Sequence, residues 1–183
     1  MNTHSPDNPT FHSTTHRQPN SQGCFICGLE NAIGLKMVFE EDHEKRQVRA
    51  ELIVPDQYRS YPGVVHGGIV ATILDETSGR AIMLETQDPN RFFATARMSV
   101  RYRQPTPTNT PLIAVGWVEQ LSGNRAKVKG ELVLKESTDK SHPTVLAECE
   151  SLVVKPNSDF LSGWEKEVPY WRVYDDKELA RYK

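Results

Sequence analysis

A histidine and two glycines come directly before an apolar segment that contains a carboxylate. The residues from Val65 to Glu76 read Val-His-Gly-Gly-Ile-Val-Ala-Thr-Ile-Leu-Asp-Glu. Glycine costs roughly 1 kcal/mol in a helix interior relative to alanine, so Gly67 and Gly68 predict a helix start or a close approach. A carboxylate such as Asp75 is expensive to bury among apolar side chains without a partner or a task. Bare amides at a helix start and a positioned acid are the groups that polarise a carbonyl and activate a water.

Composition limits the classes of protein that this chain can belong to. It has 183 residues, with 22 Lys+Arg and 24 Asp+Glu, which suits one domain and gives no basic field for nucleic acid. No apolar run approaches the ~20 residues that span a bilayer, and the first residues lack a secretory signal. Three cysteines cannot all pair in a disulfide framework. We therefore expect no nucleic-acid partner, no membrane partner and a reducing, cytoplasmic location.

Hydrophobic periodicity predicts six strands and one long helix. Alternation of apolar and polar residues indicates strands over 35–40, 47–54, 91–103, 112–121, 125–135 and 145–155. A broad apolar face indicates a nearly buried helix over 67–84. In the strand over 91–103, the period of two places Thr95 and Arg97 on the face opposite to Met98 and Val100.

The order of these elements predicts an α+β fold. Short hairpin connections imply an antiparallel sheet of about six strands, and its apolar face needs a cover. A sheet wrapped around one long central helix is the hotdog fold. We expect a disordered N-terminal tail over 1–22, a hotdog domain over 23–156 and a C-terminal extension over 157–183.

The motifs on this framework resemble those of a known family. His66-Gly67-Gly68 followed by Asp75 resembles the hotdog-fold acyl-CoA thioesterases of the phenylacetate-pathway and hydroxybenzoyl-CoA thioesterase superfamily. The segment Cys24-Phe25-Ile26-Cys27-Gly28, with Gly34-Leu35, is similar to the N-terminal segment of one bacterial-type branch. The resemblance covers about residues 24–155. It implies hydrolysis of an acyl-CoA thioester to a free acid and coenzyme A, without a cofactor.

The resemblance also implies roles for individual residues. The backbone N–H of Gly67 or Gly68 would bind the thioester oxygen, and Asp75 would act as general base or nucleophile. His66 would help to place the carbonyl or the loop, and Thr95 matches a hydroxyl residue that orients water. Some relatives carry an asparagine six positions before the histidine, where this chain has Ser60, a shorter candidate for substrate binding.

The spacing of the two catalytic candidates predicts a homodimer. Gly67 and Asp75 are eight residues apart, which is ~12 Å along a helix at a rise of ~1.5 Å per residue. A base must lie within ~3 Å of the proton that it abstracts. Two antiparallel copies of the helix would bring the glycine end of one protomer to Asp75 of the other. We therefore expect two composite sites, and a dimer of dimers is open.

Basic residues and cysteines offer two further kinds of site. Arg97, Arg101 and Arg103, with Lys127 and Lys129, could bind the phosphates of coenzyme A or form a solvated strand face. Cys24-x-x-Cys27 could begin a zinc site, but no second Cys-x-x-Cys or spaced Cys/His pair follows, so no metal is expected. Glu76 is expected to pair with Arg80.

Two other functions fit the same fold. A non-catalytic acyl-CoA-binding module would keep the pocket and would not need Asp75. A dehydratase or hydratase acting on acyl thioesters would use His66 and Asp75 at the C2–C3 region of the substrate. The identity of the acyl group, and the choice between coenzyme A and acyl carrier protein, stay open at this stage.

Overall fold

One long helix packs against a seven-stranded antiparallel sheet. The computed structural model describes residues 16–136, 143–157 and 163–182. Within these ranges the sheet has the order β1-β2-β3-β7-β8-β9-β6, and β4 pairs with β5 separately. The elements are β1 His16–Arg17, β2 Glu40–Asp42, β3 Gln47–Ile53, β4 Arg59–Tyr61, β5 Val64–Val65, α1 Gly67–Thr86, β6 Ala94–Tyr102, β7 Pro111–Ser122, β8 Arg125–Leu134, β9 Val145–Val154 and α2 Asp176–Leu179.

The central helix and most strands lie where the sequence predicts them. The antiparallel hairpins β2–β3 and β7–β8 are both present, and α1 begins at Gly67 as expected. Apolar side chains of α1, including Ile73 and Leu74, pack against the sheet in one core with Phe39 and Leu112. No helix in the described ranges is both long enough and apolar enough to cross a membrane.

The first predicted strand is shorter than the sequence indicates. Lys36 adopts a positive φ of 52°, which interrupts the extended chain, so β2 begins only at Glu40. Met37 and Phe39 are nevertheless buried in the core. Their backbone groups are satisfied outside a strand, since the Met37 N–H donates to the Ile26 carbonyl and the Phe39 carbonyl accepts from the Gln18 N–H. The alternation of apolar and polar residues therefore predicted the burial of Met37 and Phe39 correctly, but the predicted start of the strand at residue 35 is wrong.

The prediction of a disordered tail over 1–22 needs correction for residues 16–22, whereas residues 1–15 lie outside the described ranges. Gln18 and Asn20 are each 2% exposed. The Asn20 side chain donates to the carbonyls of Cys27 and Met37, and the Gln18 side chain donates to the Arg80 carbonyl. The polar composition of this segment reflects buried hydrogen bonds, which composition alone does not distinguish from solvation.

Two facing glycines let the helix backbone approach the sheet closely. Gly116 of β7 and Gly130 of β8 are register partners. A Cβ atom on Gly116 would lie 2.4 Å from the Thr77 carbonyl oxygen of α1, and one on Gly130 would lie 3.4 Å from the Ser78 Cβ. Thr77 and Ser78 are fully buried. This contact fixes the distance of α1 from the sheet at the turn that follows Asp75.

A β-bulge changes the face on which Thr95 lies. In the pairing of β6 with β9, Thr95 is opposite Val153 and Arg97 is opposite Leu152, so Ala96 is an extra residue. Val153 is buried in the cluster that contains Ile82 of α1. Thr95 therefore shares the helix-facing side with Met98 and Val100, and the prediction that placed it on the other face is wrong.

The C-terminal extension packs on the body of the domain. Trp164 and Trp171 form edge-to-face contacts with Phe92, with ring centroids 4.5 and 5.4 Å away. Tyr174, just before α2, and Leu179 of α2 are buried against Leu29. The described part of the extension is therefore held on the domain by aromatic and apolar contacts.

We expect the close approach of α1 to the sheet to make Gly116→Ala destabilising. The added methyl group meets backbone, so the free energy of unfolding should fall by about 1–3 kcal/mol in urea denaturation. The matched control is Gly79→Ala on α1, where a Cβ meets nothing within 4 Å. That variant should be up to about 1 kcal/mol more stable. Equal stability of the two variants would contradict the close approach.

Candidate functional site

The first turn of α1 is capped by the histidine that precedes it. The His66 side chain is the N-cap, and its Nδ1 accepts a hydrogen bond of 3.0 Å from the Gly68 N–H. In the neutral ring this bond leaves the proton on Nε2. A Cβ on Gly68 would lie 3.1 Å from Nδ1, so glycine at this position leaves room for the imidazole.

The Gly67 amide is the donor that this capping leaves available. Because Gly68 donates to His66, only one of the two predicted oxyanion amides stays open, and in the described part of the chain no acceptor is found for the Gly67 N–H. The Gly67 carbonyl accepts a 2.8 Å bond from the Tyr102 hydroxyl at the end of β6. The sequence alone does not indicate this role of Tyr102, because nothing local shows the tertiary contact.

Asp75 is held by the residue that the bulge redirects. The Thr95 hydroxyl donates a 2.7 Å hydrogen bond to Asp75 Oδ1. Asp75 is partly exposed, and no partner is found for Oδ2 among the described residues. One carboxylate oxygen is therefore fixed in place and the other is free to accept a proton.

Within one chain, the acid and the amide lie at opposite ends of β6. Thr95, which holds Asp75, is near the start of the strand, and Tyr102, which contacts Gly67, is at its end. Gly67 and Asp75 are eight positions apart on one continuous helix, so the axial separation of ~12 Å applies. A single chain therefore does not bring these two groups to one carbonyl.

Acids pair with two of the five predicted basic residues, Arg103 and Lys129. Arg103 forms bonds of 2.9 and 2.7 Å to both carboxylate oxygens of Glu148, and Lys129 lies 2.6 Å from Glu119. These pairs reduce the charge available for coenzyme A phosphates. Arg97 and Arg101 are exposed and have no ion pair in the described ranges.

Arg101 also lines a shallow concavity on the face of the sheet opposite to α1. Ser60 does not line this concavity. The concavity includes Ser99, Trp117 and Lys129. Ser60 is exposed in β4, a few residues before the His66 cap, and its hydroxyl has no hydrogen-bond partner among the described residues. The structure therefore groups Asp75 with Thr95, and Gly67 with His66, without grouping the predicted substrate-binding residues around them.

Glu76 and Arg80 form the predicted pair, and two cysteines lie beside them. Arg80 Nε donates to Glu76 Oε1 at 2.8 Å. The sulfur atoms of Cys24 and Cys27 and a carboxylate oxygen of Glu76 all lie within 4.8 Å of one another. The Cys24 thiol beside it is the main factor that lowers the pKa of Cys27 from 9.0 to about 7, and the Arg80 charge adds to the effect. Sequence analysis missed this cluster because Glu76 is remote in sequence from both cysteines.

These features define the fold of this chain. A sheet packed on one long helix is the hotdog fold, and a crystal structure of a thioesterase superfamily protein superimposes with a TM-score of 0.59 at 29% identity, covering 68% of this chain and 56% of that one. A thioesterase from Streptococcus pneumoniae TIGR4 with coenzyme A has a TM-score of 0.51 at 16% identity, covering 59% and 79%. The family model described as "Thioesterase superfamily" matches residues 62–140. Residues 62–140 of the chain therefore resemble the thioesterase superfamily.

Curated relatives are similar over parts of their length. An uncharacterized mitochondrial membrane protein of Saccharomyces cerevisiae, FMP10, is 36% identical over 73 residues, covering 40% of this chain and 30% of the relative. Acyl-coenzyme A thioesterase THEM4 of Rattus norvegicus is 23% identical over 135 residues, covering 74% and 54%. The chain thus spans about a third to a half of the length of these relatives.

We expect the capping role of His66 to be measurable as stability. His66→Ala removes the acceptor for the Gly68 N–H and should lower the free energy of unfolding by about 1 kcal/mol. His66→Asn retains a capping acceptor and should stay within a few tenths of a kcal/mol of the wild type. Urea denaturation of both variants tests the assignment. An Asn variant as unstable as the Ala variant would show that capping does not explain the contact.

Proposed function

We propose that this protein is an acyl-CoA thioesterase that hydrolyses an acyl-CoA thioester to the free acid and coenzyme A. The observation that carries the proposal is the Asp75 carboxylate, which Thr95 holds by one oxygen, on the same helix as the open Gly67 amide. A module that only binds acyl groups has no need of a positioned acid. The match of residues 62–140 to the thioesterase superfamily model and the likeness to THEM4, named an acyl-coenzyme A thioesterase, support the same activity.

The Gly67 amide is the proposed oxyanion donor. It lies in the first turn of α1, where the helix dipole favours negative charge on an approaching oxygen. His66 Nδ1 keeps the Gly68 N–H occupied, so the proton of the neutral imidazole is on Nε2, which could act as a second donor. A Cβ on Gly67 would lie 3.5 Å from the Tyr102 ring, so glycine is not required here by packing within the chain. Close approach of a thioester carbonyl is a reason for glycine at this position.

Asp75 is the proposed general base. Its Oδ2 takes a proton from water, and the water oxygen adds to the thioester carbonyl carbon. The carbonyl oxygen becomes an oxyanion that the Gly67 amide stabilises. Collapse of this intermediate breaks the carbon–sulfur bond, and the coenzyme A sulfur takes the proton from Asp75. Direct attack by the carboxylate would instead give a mixed anhydride that water hydrolyses.

The exposed edge strand β6 supports a homodimer, which we propose forms by pairing of two β6 strands. β6 is the last strand of the sheet, and Thr95, Ala96, Arg97 and Tyr102 are exposed along it. A long open edge is a template for strand pairing. An antiparallel pair of β6 strands, centred near Met98, brings Thr95 of one protomer opposite Tyr102 of the partner subunit.

This pairing assembles the two halves of the site. Thr95 holds Asp75 and Tyr102 contacts Gly67. The acid of one protomer therefore approaches the amide of its partner, which removes the ~12 Å separation within a chain. We propose two composite sites per homodimer.

Coenzyme A is the proposed carrier of the acyl group. The Streptococcus pneumoniae protein of the same fold was crystallised with coenzyme A. Arg97 and Arg101 are exposed and unpaired in the described ranges, so they are the arginines available for its phosphates. The cytoplasmic location stays a prediction.

We expect Asp75→Asn to lower kcat by about 10²–10⁴-fold, because the variant cannot take a proton from water. The folded structure should persist, since an asparagine oxygen still accepts from Thr95. Release of free thiol from a panel of short, aromatic and long acyl-CoAs measures the activity. Glu85→Gln is the control, because Glu85 lies on the same helix and pairs with Arg46. Full activity of Asp75→Asn would remove the proposed base.

The same assays separate the alternative functions. Tight binding of intact acyl-CoA by the wild type, with no turnover over long incubation, would favour the binding module. Hydration of an enoyl-CoA without thiol release would favour the hydratase.

A mixed dimer tests whether the site is shared between protomers. Gly67→Pro removes the amide hydrogen and adds a ring that the backbone can accept, because proline is favoured at the first helical position and His66 already has a ψ of 132°. A homodimer of Gly67→Pro or of Asp75→Asn should be nearly inactive. A dimer of one copy of each retains one intact composite site and should recover about half of the wild-type activity. No recovery in the purified mixed dimer would place both groups in one chain.

A further inference from the structure

We propose that Cys24, Cys27 and Glu76 bind one Zn²⁺ ion beside the active-site helix. The two sulfur atoms and a Glu76 oxygen lie within 4.8 Å of one another, close enough for all three to reach one metal. Thiolates and carboxylates are ligands for Zn²⁺, and three protein ligands with a water complete a tetrahedral site. This site does not depend on the proposed thioesterase activity, and it revises the expectation from sequence that no metal is bound.

The backbone around the cysteines has the form of a ligand loop. The N–H groups of Ile26 and Cys27 both point at Cys24 Sγ, with distances of 3.3 and 3.4 Å. The Gly28 N–H closes the turn by donating to the Cys24 carbonyl at 2.8 Å. A Cβ on Gly28 would lie 2.3 Å from that carbonyl oxygen, so only glycine fits. Amide hydrogen bonds to sulfur favour the ionised thiol, which is the form that binds metal.

The third ligand comes from α1 and has one oxygen to spare. Glu76 lies 49 residues after Cys27, so no search for a spaced motif would connect them. Its Oε1 accepts from Arg80 Nε at 2.8 Å, which orients the carboxylate and leaves Oε2 for a metal. An outer partner that orients a ligand in this way is typical of metal sites.

The surrounding charge fits a loaded site. Arg80 is 2% exposed, and its Nη2 is buried without a hydrogen-bond partner in the described part of the chain. Two thiolates, one carboxylate and Zn²⁺ together carry one negative charge, which the Arg80 guanidinium neutralises.

Alternative roles for this pair explain less of the cluster. A Cys24–Cys27 disulfide would use the two sulfur atoms but would not explain why a Glu76 oxygen lies within 4.8 Å of both. Cys27 is 2% exposed, which limits attack on an external disulfide, whereas the partly exposed Cys24 offers an ion a path of entry. The third cysteine, Cys149, is buried on β9 and belongs to no such cluster among the described residues.

The test measures zinc in the full-length protein, purified under reducing conditions without chelator. Elemental analysis should find about one zinc ion per chain in the wild type. Cys24→Ser and Cys27→Ser should lose it, and Cys149→Ser is the matched control that should retain it. Glu76→Gln should weaken zinc binding by at least about tenfold, as changes around metal ligands do.

Two measurements on the wild type keep the test independent of variant folding. Cobalt(II) in place of zinc should produce a thiolate-to-metal charge-transfer band that Cys149→Ser also shows. Removal of the ion by a chelator should lower the unfolding temperature, and added zinc should restore it. A wild-type chain that binds neither zinc nor cobalt, another metal at one equivalent, or equal zinc loss in Cys149→Ser would overturn the proposal.

Discussion

The contact between the helix backbone and two facing glycines sets the geometry of the whole domain. Gly116 and Gly130 leave a gap in the sheet into which the backbone of α1 at Thr77 and Ser78 fits. No side chain intervenes, so the height of the helix above the sheet is fixed at one turn. Asp75 and Glu76 lie immediately before that turn, so the same contact fixes the position of their backbone. Successive helical residues are rotated by about 100°, so Asp75 and Glu76 reach different neighbours from the same fixed point.

The two acids serve two different sides of the helix. Asp75 is bound by a threonine of the edge strand, where a second copy of the chain is proposed to dock. Glu76 points toward the N-terminal segment, where Arg80 also donates to the Pro19 carbonyl and lies 4.4 Å from the centre of the Phe39 ring. The packing of α1 at Thr77 and Ser78 therefore positions both Asp75, the proposed general base, and Glu76, which pairs with the arginine that holds the N-terminal segment.

Local signals predicted the parts of this structure that depend on local chemistry. Glycines after a histidine located the start of α1, and alternation of residues located the hairpins. The predictions that were wrong or incomplete concern backbone conformations and tertiary contacts that no local sequence pattern indicates. Lys36 takes a left-handed conformation that lysine rarely adopts. Arg103 meets Glu148 across the sheet, and Glu76 meets Cys24 and Cys27 through tertiary packing. Whether the amide and the acid share a site depends on a second chain, which a single sequence does not contain.

The extra residue in β6 has a consequence for comparing this chain with its relatives. Because Ala96 occupies no place in the pairing with β9, the strand is one residue longer than its partner at that point. A homologue with a regular strand would need its hydroxyl one position nearer to Met98 to reach the same acid. A gapless alignment of the two would match Thr95 to a side chain on the opposite face. Functional equivalence here must therefore be judged by superposition, with an insertion allowed inside a strand.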